Sequence, residues 1–359
     1  MLSMAAYWVQ RGNRVSLITQ DSSRRDRFQV PSGVRRVALD LTGSRGGIVL
    51  APLRTYRRWR AVRREISVSR PDVIISFMAR MNVLVLLAVR GMSIPLILAE
   101  RTNPATSPLG QPWAYLRKRM YHRAKLLVCQ TEREADWFNT LDPRIMTTTI
   151  PNPVTSTACD GRVRLVHLAG CKNHVRHVVL AVGRLVDEKG FDDLIQAFAR
   201  AARDRTDWGL VIFGDGEKRQ SLIKLAVDLD IADRVCMPGF VDQPERLMAQ
   251  ADIFVLSSKY EGFPNVLLEA MTAGLAVVSY DCSNGPAEII SHCRDGLLVP
   301  LGDVGQLASS IEQLMRDPAR RKSYGEAALR KTIRFDPSRI MRQWDRIALV
   351  TTVSRPFKQ

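Results

Sequence analysis

The chain has 359 residues, 46% of them hydrophobic and 25% charged, which is typical of a globular protein with room for two domains. No uninterrupted apolar run is long enough to span a membrane. The net charge of +17 is concentrated in residues 1–150, where 25 Lys and Arg stand against 10 Asp and Glu, whereas the remainder has 28 against 26. The basic first half predicts an acidic partner: nucleic acid, anionic lipid or phosphate.

The cysteines and the first residues indicate a reducing compartment. The chain has six Cys, and no basic segment followed by a long apolar core opens it, so no signal peptide is predicted. Cys159, Cys171, His174 and His177 cluster in a way that leaves a zinc site open as an alternative. Their spacing matches no zinc finger, and the stretch has the character of a linker, so we expect no metal.

The first half alternates apolar strands with helices. The end of a helix up to Gln10 comes first. We then predict strands over residues 14–19, 34–41, 72–77, 95–99, 125–130 and 145–150, and helices over 54–70, 82–89, 112–123 and 131–138. Such alternation predicts a parallel sheet with helices on its faces. We assign residues 1–153 to a first domain and the aperiodic stretch 154–177 to a linker.

The predicted helix over residues 54–70 is strongly basic. Six arginines, interleaved with Tyr56 and Trp59, occur within eleven positions: Arg54, Arg57, Arg58, Arg60, Arg63 and Arg64. An amphipathic helix of this kind suits an anionic membrane surface. A merely solvated helix is an equally good interpretation. Nucleic acid is a third, but no recognition motif supports it.

Polar residues follow the predicted strand over 95–99. Glu100, Arg101 and Asn103 lie where that strand ends. Ligands of open α/β sheets bind at the carboxyl ends of strands, so these three residues are candidates for binding a ligand. A local ion pair between Glu100 and Arg101 is the competing interpretation.

The second half, residues 178–335, also alternates strands and helices, and its first loop carries two cations. Gly183 and Arg184 follow a strand over 178–182, and Lys189 follows five residues later. Two such cations suit an anionic ligand, Arg through bidentate contacts and Lys as a point charge. Further strands over 209–213 and 235–238 bring Gly214, a glycine that permits close backbone approach, and Met237.

Two carboxylates bracket the segment after the strand over 253–256. Glu261 lies in a loop with Gly262 and Phe263, and Glu269 lies within the helix that follows. Pro264 suits the first helical position, and the following N–H groups make a helix start that attracts anions. Two solvated glutamates would be the simpler interpretation of the spacing alone.

The residues as they stand resemble a known family. The segment E-G-F-P-N-V-L-L-E-A-M at 261–271 resembles the E-x7-E pattern of glycosyltransferase family 4, the retaining enzymes of the GT-B fold. Gly183-Arg184-Leu185 with Lys189-Gly190 resembles the family's G-R-L-x-x-x-K-G motif, and Glu100 to Pro104 resembles a loop of members that extend lipid-linked or surface polysaccharides. The resemblance covers most of the chain and is strongest over residues 180–300.

The resemblance implies an α/β protein of two doubly wound, Rossmann-like domains facing across a cleft. A last helix over 336–350 would pack back on the first domain. Arg184 and Lys189 would neutralise the donor diphosphate, Glu261 would orient sugar hydroxyls, and Glu269 would bind the ribose. The remaining donor contacts would come from Gly183, Gly214, Met237, Gly262, Phe263, Pro264, Asn265 and Val266.

The family also implies a function and a place. A sugar would pass from a nucleoside diphosphate, with UDP favoured, to a glycan acceptor that a polyprenyl diphosphate could carry. The donor is a substrate, so no cofactor and no metal are expected; Asp228 and Asp230 lie in or beside a helix and form no D-x-D site. The leaving phosphate would help to deprotonate the acceptor. We expect a cytoplasmic protein at the inner face of the bacterial inner membrane.

One departure from the family raises an alternative. A first strand and a glycine-rich loop would precede the helix that ends at Gln10, and the sequence shows neither. A nucleotide-sugar-binding protein with impaired catalysis is therefore the competing hypothesis. A nicotinamide oxidoreductase is disfavoured, because no G-x-G-x-x-G follows a strand.

Overall fold

The computed structural model describes residues 1–22, 29–41, 51–106, 108–155, 165 and 174–353. It divides into two compact units, one of Met1–Ile150 with Met341–Gln359 and the other of Pro151–Ile340. Most of the predicted linker over 154–177, with Cys159 and Cys171, lies outside the described residues.

Where the structure describes it, the second unit is built on a sheet of six parallel strands. In chain order they are β7 (His177–Val182), β8 (Trp208–Phe213), β9 (Val235–Gly239), β10 (Ile253–Leu256), β11 (Ala276–Asp281) and β12 (Leu297–Pro300). Their spatial order is β12-β11-β10-β7-β8-β9. The chain therefore adds β8 and β9 on one side of β7, and then β10, β11 and β12 on the other side. The order reverses between β7 and β10, where doubly wound sheets leave a crevice at the carboxyl ends.

Helices cover both faces of this sheet. They are Phe191–Ala201, Arg219–Asp228, Glu245–Met248, Asn265–Thr272, Pro286–Ile289, Val304–Arg316 and Pro318–Thr332. One core layer packs Phe198 and Leu194 against strand residues such as Ile212. The opposite layer packs Leu267 and Met271 from the helix Asn265–Thr272. Because the strands are buried on both faces, they read as continuous apolar runs.

The described residues of the first unit form two separate parallel sheets, one of two strands and one of four. β1 (Val15–Thr19) pairs with β2 (Val34–Ala38), and β3 (Ile74–Phe77), β4 (Leu96–Ala99), β5 (Leu126–Cys129) and β6 (Thr147–Thr149) form the other sheet in sequence order. Among the described residues, no strand joins β1 to β3. In the part of the chain that the structure describes, β1–β2 and β3–β6 therefore form two separate sheets.

The helices of the first unit enclose an apolar core of their own. They are Leu2–Gln10, Ala51–Ser69, Ala79–Ala88, Trp113–Met120 and Glu132–Leu141, and the helix Pro337–Val353 contributes its residues from Met341 onward. Tyr121 and Phe138 stack at the centre with ring centroids 5.8 Å apart. In the last helix Trp344 is 1% exposed and lies 6.1 Å from the Phe77 ring, and Asp345 accepts a hydrogen bond from Trp8 Nε1.

Several boundaries differ from those the sequence predicts. The strand predicted over 34–41 ends at Ala38, and the helix predicted over 82–89 begins at Ala79. Pro264, expected at the first helical position, is instead the N-cap, with ψ of 83° outside the helical range, and the helix begins at Asn265. No helix within the described ranges is long and apolar enough to cross a bilayer.

Candidate active site

The candidate site of the second unit lies where the order of its sheet reverses. Val179 and Leu180 of β7 pair with Ile253 and Phe254 of β10, so the two strands end side by side. Gly183 follows the first of these strands and Ser257 follows the second. The loop with Arg184 and Lys189 is thereby brought beside the loop with Glu261, although the two are far apart in the sequence.

Gly214 permits a close backbone approach at one side of the site. Its φ is +143°, and a Cβ built on it would stand 1.8 Å from the carbonyl oxygen of Gly183. The Gly214 N–H donates to Gly239 O at 2.8 Å, and the Gly183 N–H donates to Phe213 O at 2.9 Å. The ends of β7, β8 and β9 are therefore tied together by main chain, and any side chain at 214 would separate them.

Gly190 fixes the position of Lys189. It adopts φ of +58°, and an added Cβ would lie 2.3 Å from the carbonyl oxygen of Ser257. The Ser257 hydroxyl donates to Lys189 O at 2.8 Å, and the Lys259 N–H donates to Glu188 O, also at 2.8 Å. The two loops are thus joined by hydrogen bonds on both sides of the lysine.

Lys189 and Glu261 form an ion pair at the centre of the site. Lys189 Nζ lies 2.5 Å from Glu261 Oε1, and the two side chains are only 20% and 11% exposed. Such a charge-assisted contact is stronger when partly shielded from water. The structure therefore places two of the three predicted catalytic side chains in direct contact.

Arg184 occupies the same loop but faces outward. Its guanidinium is 72% exposed and lies 3.4 Å from Glu188 Oε2, four residues along the chain. The Tyr260 phenol also donates a hydrogen bond to the Glu188 carboxylate, which raises the pKa of the phenol. Glu188 thus links Arg184 to the loop of Glu261, and the guanidinium remains accessible to a ligand.

The helix Asn265–Thr272 begins beside this pair. The Asn265 N–H donates to Phe263 O at 2.9 Å. An oxygen of the sugar nucleotide would therefore have to displace Phe263 O in order to bind this N–H. Asn152 Nδ2 donates to Asn265 Oδ1 at 2.8 Å. Pro264 packs against Gly285, where an added Cβ would stand 2.4 Å from the proline Cδ. Of the other predicted donor contacts here, Gly262 and Val266 are partly exposed and Phe263 is 8% exposed.

Glu269 and Met237 are the remaining predicted donor contacts of the second unit. Burial raises the pKa of the half-buried Glu269 carboxyl, and the charge of Glu245 raises it further. A carboxyl of this kind can hydrogen-bond a ribose diol. The Met237 side chain is buried, and its carbonyl oxygen accepts a hydrogen bond from Arg219 Nη2 at 2.6 Å.

The three candidates in the first unit have different surroundings. Glu100 is 1% exposed; Tyr121 donates to its Oε1 at 2.5 Å and Asn82 at 3.4 Å, and burial raises the pKa of its carboxyl to about 7. Arg101 lies over the Phe77 and Trp344 rings, and burial lowers the pKa of its guanidinium to about 10. Asn103 Oδ1 accepts the Ala105 N–H in a turn. A role in acceptor binding stays a prediction for all three.

The sequence did not reveal the residues that hold the site in shape. Ser257 and Gly190 join the two loops, and Asn152 fixes Asn265. The glycine directly after Lys189 was the one available signal, because a left-handed residue is commonly glycine. Across the described ranges, no group of three His, Cys, Asp or Glu side chains is arranged for a metal ion.

Two protein families match consecutive parts of the chain. Residues 1–153 match the glycosyl transferase 4-like domain, and residues 171–331 match the glycosyl transferases group 1 family. The second match contains the candidate site, and the first contains Glu100, Arg101 and Asn103.

Curated relatives resemble mainly one part of the chain. An exopolysaccharide phosphotransferase of Streptomyces coelicolor is 45% identical over 46% of this chain and 18% of its own length. The lipopolysaccharide core biosynthesis glycosyltransferase LpsE of Rhizobium meliloti is 40% identical over 42% of each chain. The chain thus spans less than half of these relatives. A Campylobacter jejuni α-1,4-N-acetyl-D-galactosaminyltransferase, whose name gives a diphospho-undecaprenol-linked acceptor, is 27% identical over 80% of this chain and 77% of its own.

Solved structures share the whole fold. The sucrose-phosphate synthase of Thermosynechococcus elongatus has a TM-score of 0.83 at 16% identity and covers 98% of this chain and 92% of its own. HepE of Anabaena, in complex with UDP and glucose, has a TM-score of 0.78 at 20% identity, with 97% and 94% covered. The fold is therefore GT-B. The chain thus has a glycosyl transferase 4-like domain followed by a glycosyl transferases group 1 domain, in the GT-B fold.

Proposed function

We propose that this chain is a retaining glycosyltransferase that moves a sugar from a nucleoside diphosphate to a hydroxyl of a glycan acceptor in bacterial surface polysaccharide or glycoconjugate synthesis. The contact between Lys189 and Glu261 is the observation that carries this proposal. It puts a cation and a carboxylate at the carboxyl ends of β7 and β10, where doubly wound sheets bind nucleotides. We favour UDP as the nucleotide of the donor, since HepE was solved with UDP.

The proposed chemistry assigns the donor to the second unit. Lys189 and the exposed Arg184 stabilise the negative charge that develops on the diphosphate as the glycosidic bond breaks. Glu261 holds Lys189 in place before the donor arrives and then orients sugar hydroxyls. The positive end of the helix Asn265–Thr272 adds to the attraction for the phosphates. Glu269 binds the ribose, and the leaving phosphate accepts the proton of the acceptor hydroxyl.

The acceptor we propose is a lipid-linked saccharide with a diphosphate bridge. Two observations support it: the cationic excess of residues 1–150, and the named acceptors of relatives such as the Campylobacter transferase. We assign no finer specificity between hexosyl and N-acetylhexosaminyl transfer.

The experiment is a donor screen followed by a transfer assay. UDP-, GDP- and ADP-sugars are compared by thermal shift, and the stabilising donor is incubated with diphosphate-linked lipid saccharides. We expect one nucleotide class to raise Tm and its sugar to appear on the acceptor with the anomeric configuration of the donor retained. A product of inverted configuration would refute the retaining assignment, and the absence of any donor binding would refute the proposal as a whole.

A membrane-facing surface forms part of the proposal. We define the outer face of the helix Ala51–Ser69 as its exposed residues Leu53, Tyr56, Arg57, Arg60 and Arg64. Their spacing puts them on one side of the helix, opposite the buried Val62 and Ile66. Three arginines with an aromatic and an aliphatic side chain suit an anionic bilayer surface.

Sedimentation with phosphatidylglycerol vesicles tests this surface. Each Arg near an anionic bilayer is worth about 1 kcal/mol, so we expect the triple change of Arg57, Arg60 and Arg64 to Gln to weaken binding on the order of 100-fold. Added salt should weaken wild-type binding as well. The matched control is Arg330→Gln in the second unit. Equal vesicle binding by wild type and the triple variant would contradict the membrane role.

The division of the first unit's sheet favours a second candidate. A protein whose β1 and β3 belong to separate sheets could bind nucleotide sugars without transferring them. The transfer assay separates the two: a raised Tm with the correct donor, together with no product on any diphosphate-linked acceptor, would support the binding protein.

A further inference from the structure

The first unit contains a cavity lined by three arginines. It has a volume of about 300 Å³, and the described residues that line it include Arg54, Arg58 and Arg80 but no carboxylate. Since one water occupies about 30 Å³ of liquid, the space equals roughly ten waters. Such a volume accommodates a phosphate or diphosphate group with part of what it is attached to.

The cavity lies where the parallel strands of the first unit end. Gln20 directly follows β1, and Arg80 lies in the first turn of the helix Ala79–Ala88, which follows β3. Gln20 Nε2 lies 3.8 Å from the sulfur of Met81, which ties the end of β1 to the start of that helix. The carboxyl ends of strands are where open sheets bind ligands, and a helix start attracts anions.

The lining offers hydrogen-bond donors around an apolar wall. Arg58 donates to Leu41 O through Nη2, whereas its Nε is buried and, among the described residues, lacks a hydrogen-bond partner. The Thr55 hydroxyl and the Gln20 amide add donors of smaller size, and Trp113 with Leu84 supplies the wall. Guanidinium groups bind phosphate oxygens bidentately, so this donor set suits a phosphate ester.

The geometry points to a binding site for a phosphate or diphosphate ester in this cavity of the first unit. Arg54 and Arg58 come from the helix Ala51–Ser69, and Arg80 comes from the next helix, so the guanidinium groups approach the space from two elements. The assignment to the diphosphate of a lipid-linked acceptor rests on the proposed function. An anionic phospholipid headgroup is the other source of the same chemistry.

Calorimetric titration with inorganic pyrophosphate tests the site. UDP is present at saturation, so that pyrophosphate does not report on the second unit. Arg80→Gln is the first variant, because Arg80 is exposed and its loss does not disturb a core, and Arg54→Gln is the second. Arg57→Gln and Arg60→Gln remove the same charge from the outer face and serve as matched controls.

We expect pyrophosphate binding to weaken about tenfold in each cavity variant and less than twofold in each control, since a lost charge-assisted contact has this size. Equal weakening in all four variants would show non-specific attraction and overturn the proposal. The absence of pyrophosphate binding to the wild type would also overturn the proposal, provided that the cavity variants sediment with phosphatidylglycerol vesicles as the wild type does.

Vesicle sedimentation identifies the source of the phosphate. If the ligand is an acceptor diphosphate, Arg80→Gln lowers pyrophosphate binding and leaves sedimentation unchanged. If it is a headgroup, Arg80→Gln lowers sedimentation, and inorganic phosphate competes with the vesicles. UDP titration of the same samples keeps the two proposals apart. UDP binding, with neither pyrophosphate binding nor any effect of Arg80→Gln on sedimentation, sinks this site alone, and pyrophosphate binding without UDP binding sinks the donor assignment alone.

Discussion

The two units use positive charge in different ways. In the second unit, whose sequence is nearly balanced in charge, Lys189 lies in contact with Glu261 at the reversal point of one continuous sheet. In the first unit, the sheet is divided and the arginines are in large excess over carboxylates. A cation that a carboxylate holds in position suits a reacting diphosphate, whereas clustered arginines suit an anion that arrives from outside.

Some arginines of the first unit nevertheless have structural roles. Arg63 Nη1 donates to the carbonyl oxygens of Ala88 and Arg90, where the helix Ala79–Ala88 ends, and Arg35 pairs with Glu65 at 2.8 Å. A cation at a helix C-terminus satisfies carbonyls that have no partner within the helix. The charge excess therefore overstates the number of arginines available for ligands.

The largest effect we expect concerns the last helix of the first unit. Trp344 is almost fully buried, so Trp344→Ala should lower the unfolding free energy of that unit by about 3–5 kcal/mol. Five of the six tryptophans, all except Trp208, belong to the first unit, so intrinsic fluorescence during urea unfolding reports mainly on it. Val350→Ala, on an exposed position of the same helix, is the control and should change stability by less than about 0.5 kcal/mol. Equal urea midpoints for the two variants would contradict the placement of Trp344 in the core of the first unit.

The cation of the second unit carries the next largest effect. Lys189→Ala should lower kcat/KM for sugar transfer by about 10²–10³-fold, because a fixed charge that stabilises the departing diphosphate is lost. Lys224→Ala, on an exposed position of the helix Arg219–Asp228, is the matched control and should have wild-type kinetics. Steady-state assays with the donor found by thermal shift measure both. Wild-type kinetics for Lys189→Ala would remove the residue from the mechanism.

The positions of strands and loops were predictable from the sequence, but the contacts between loops were not. Continuous apolar runs predicted the strands of the second unit, and the E-x7-E and G-R-L-x-x-x-K-G patterns marked the two loops of its candidate site. That Lys189 meets Glu261, 72 positions away, depends on β7 and β10 being neighbours, which no local pattern encodes. The contact of Gly190 with Ser257 depends on the same neighbourhood.

In the first unit, the contacts of Glu100 could not be predicted from the sequence either. The end of an apolar strand predicted a ligand-facing carboxylate, or a local ion pair with Arg101. The structure surrounds the carboxylate with Tyr121 and Asn82, which come from a 3₁₀ turn and a helix packed on the sheet. Helix packing of this kind is decided by tertiary structure, so the sequence spacing carried no sign of it.

The burial of Glu100 predicts a pH dependence that belongs to the first unit. Its folded-state pKa of about 7 lies above the ordinary value of 4.5, so the folded protein binds more protons between these two values. Its contribution to stability is full below pH 4.5 and is lost as the pH rises towards 7. Relative to Glu100→Gln, the wild type should lose up to about 3 kcal/mol across this window.

Urea unfolding followed by fluorescence between pH 4.5 and 8 measures this difference. Gln keeps an oxygen that can accept the Tyr121 hydroxyl, so the substitution removes the charge and preserves the hydrogen bond. Glu132→Gln, on an exposed position, is the control and should parallel the wild type. A constant difference between wild type and Glu100→Gln at all pH values would mean that the buried carboxyl does not titrate in this window.

The smallest effect we expect compares one glycine from each unit. Gly190 and Gly91 both have positive φ, +58° and +81°, but an added Cβ would meet Ser257 O at position 190 and nothing within 4 Å at position 91. Gly91→Ala should therefore cost about 1 kcal/mol from backbone strain alone, and Gly190→Ala about 2 kcal/mol or more. Urea unfolding measures the first through tryptophan fluorescence and the second through the UDP-stabilised transition.

The two substitutions also separate strain from function. Gly190→Ala should displace Lys189 from Glu261 and lower kcat, because the loop can relieve the clash with Ser257 only by moving the lysine's main chain. Gly91→Ala should leave kcat unchanged, since it alters no loop of the donor site. If both variants lost stability equally and kept wild-type kcat, the junction of the two loops would not be what positions the lysine, and the ion pair would have to depend on Glu261 alone.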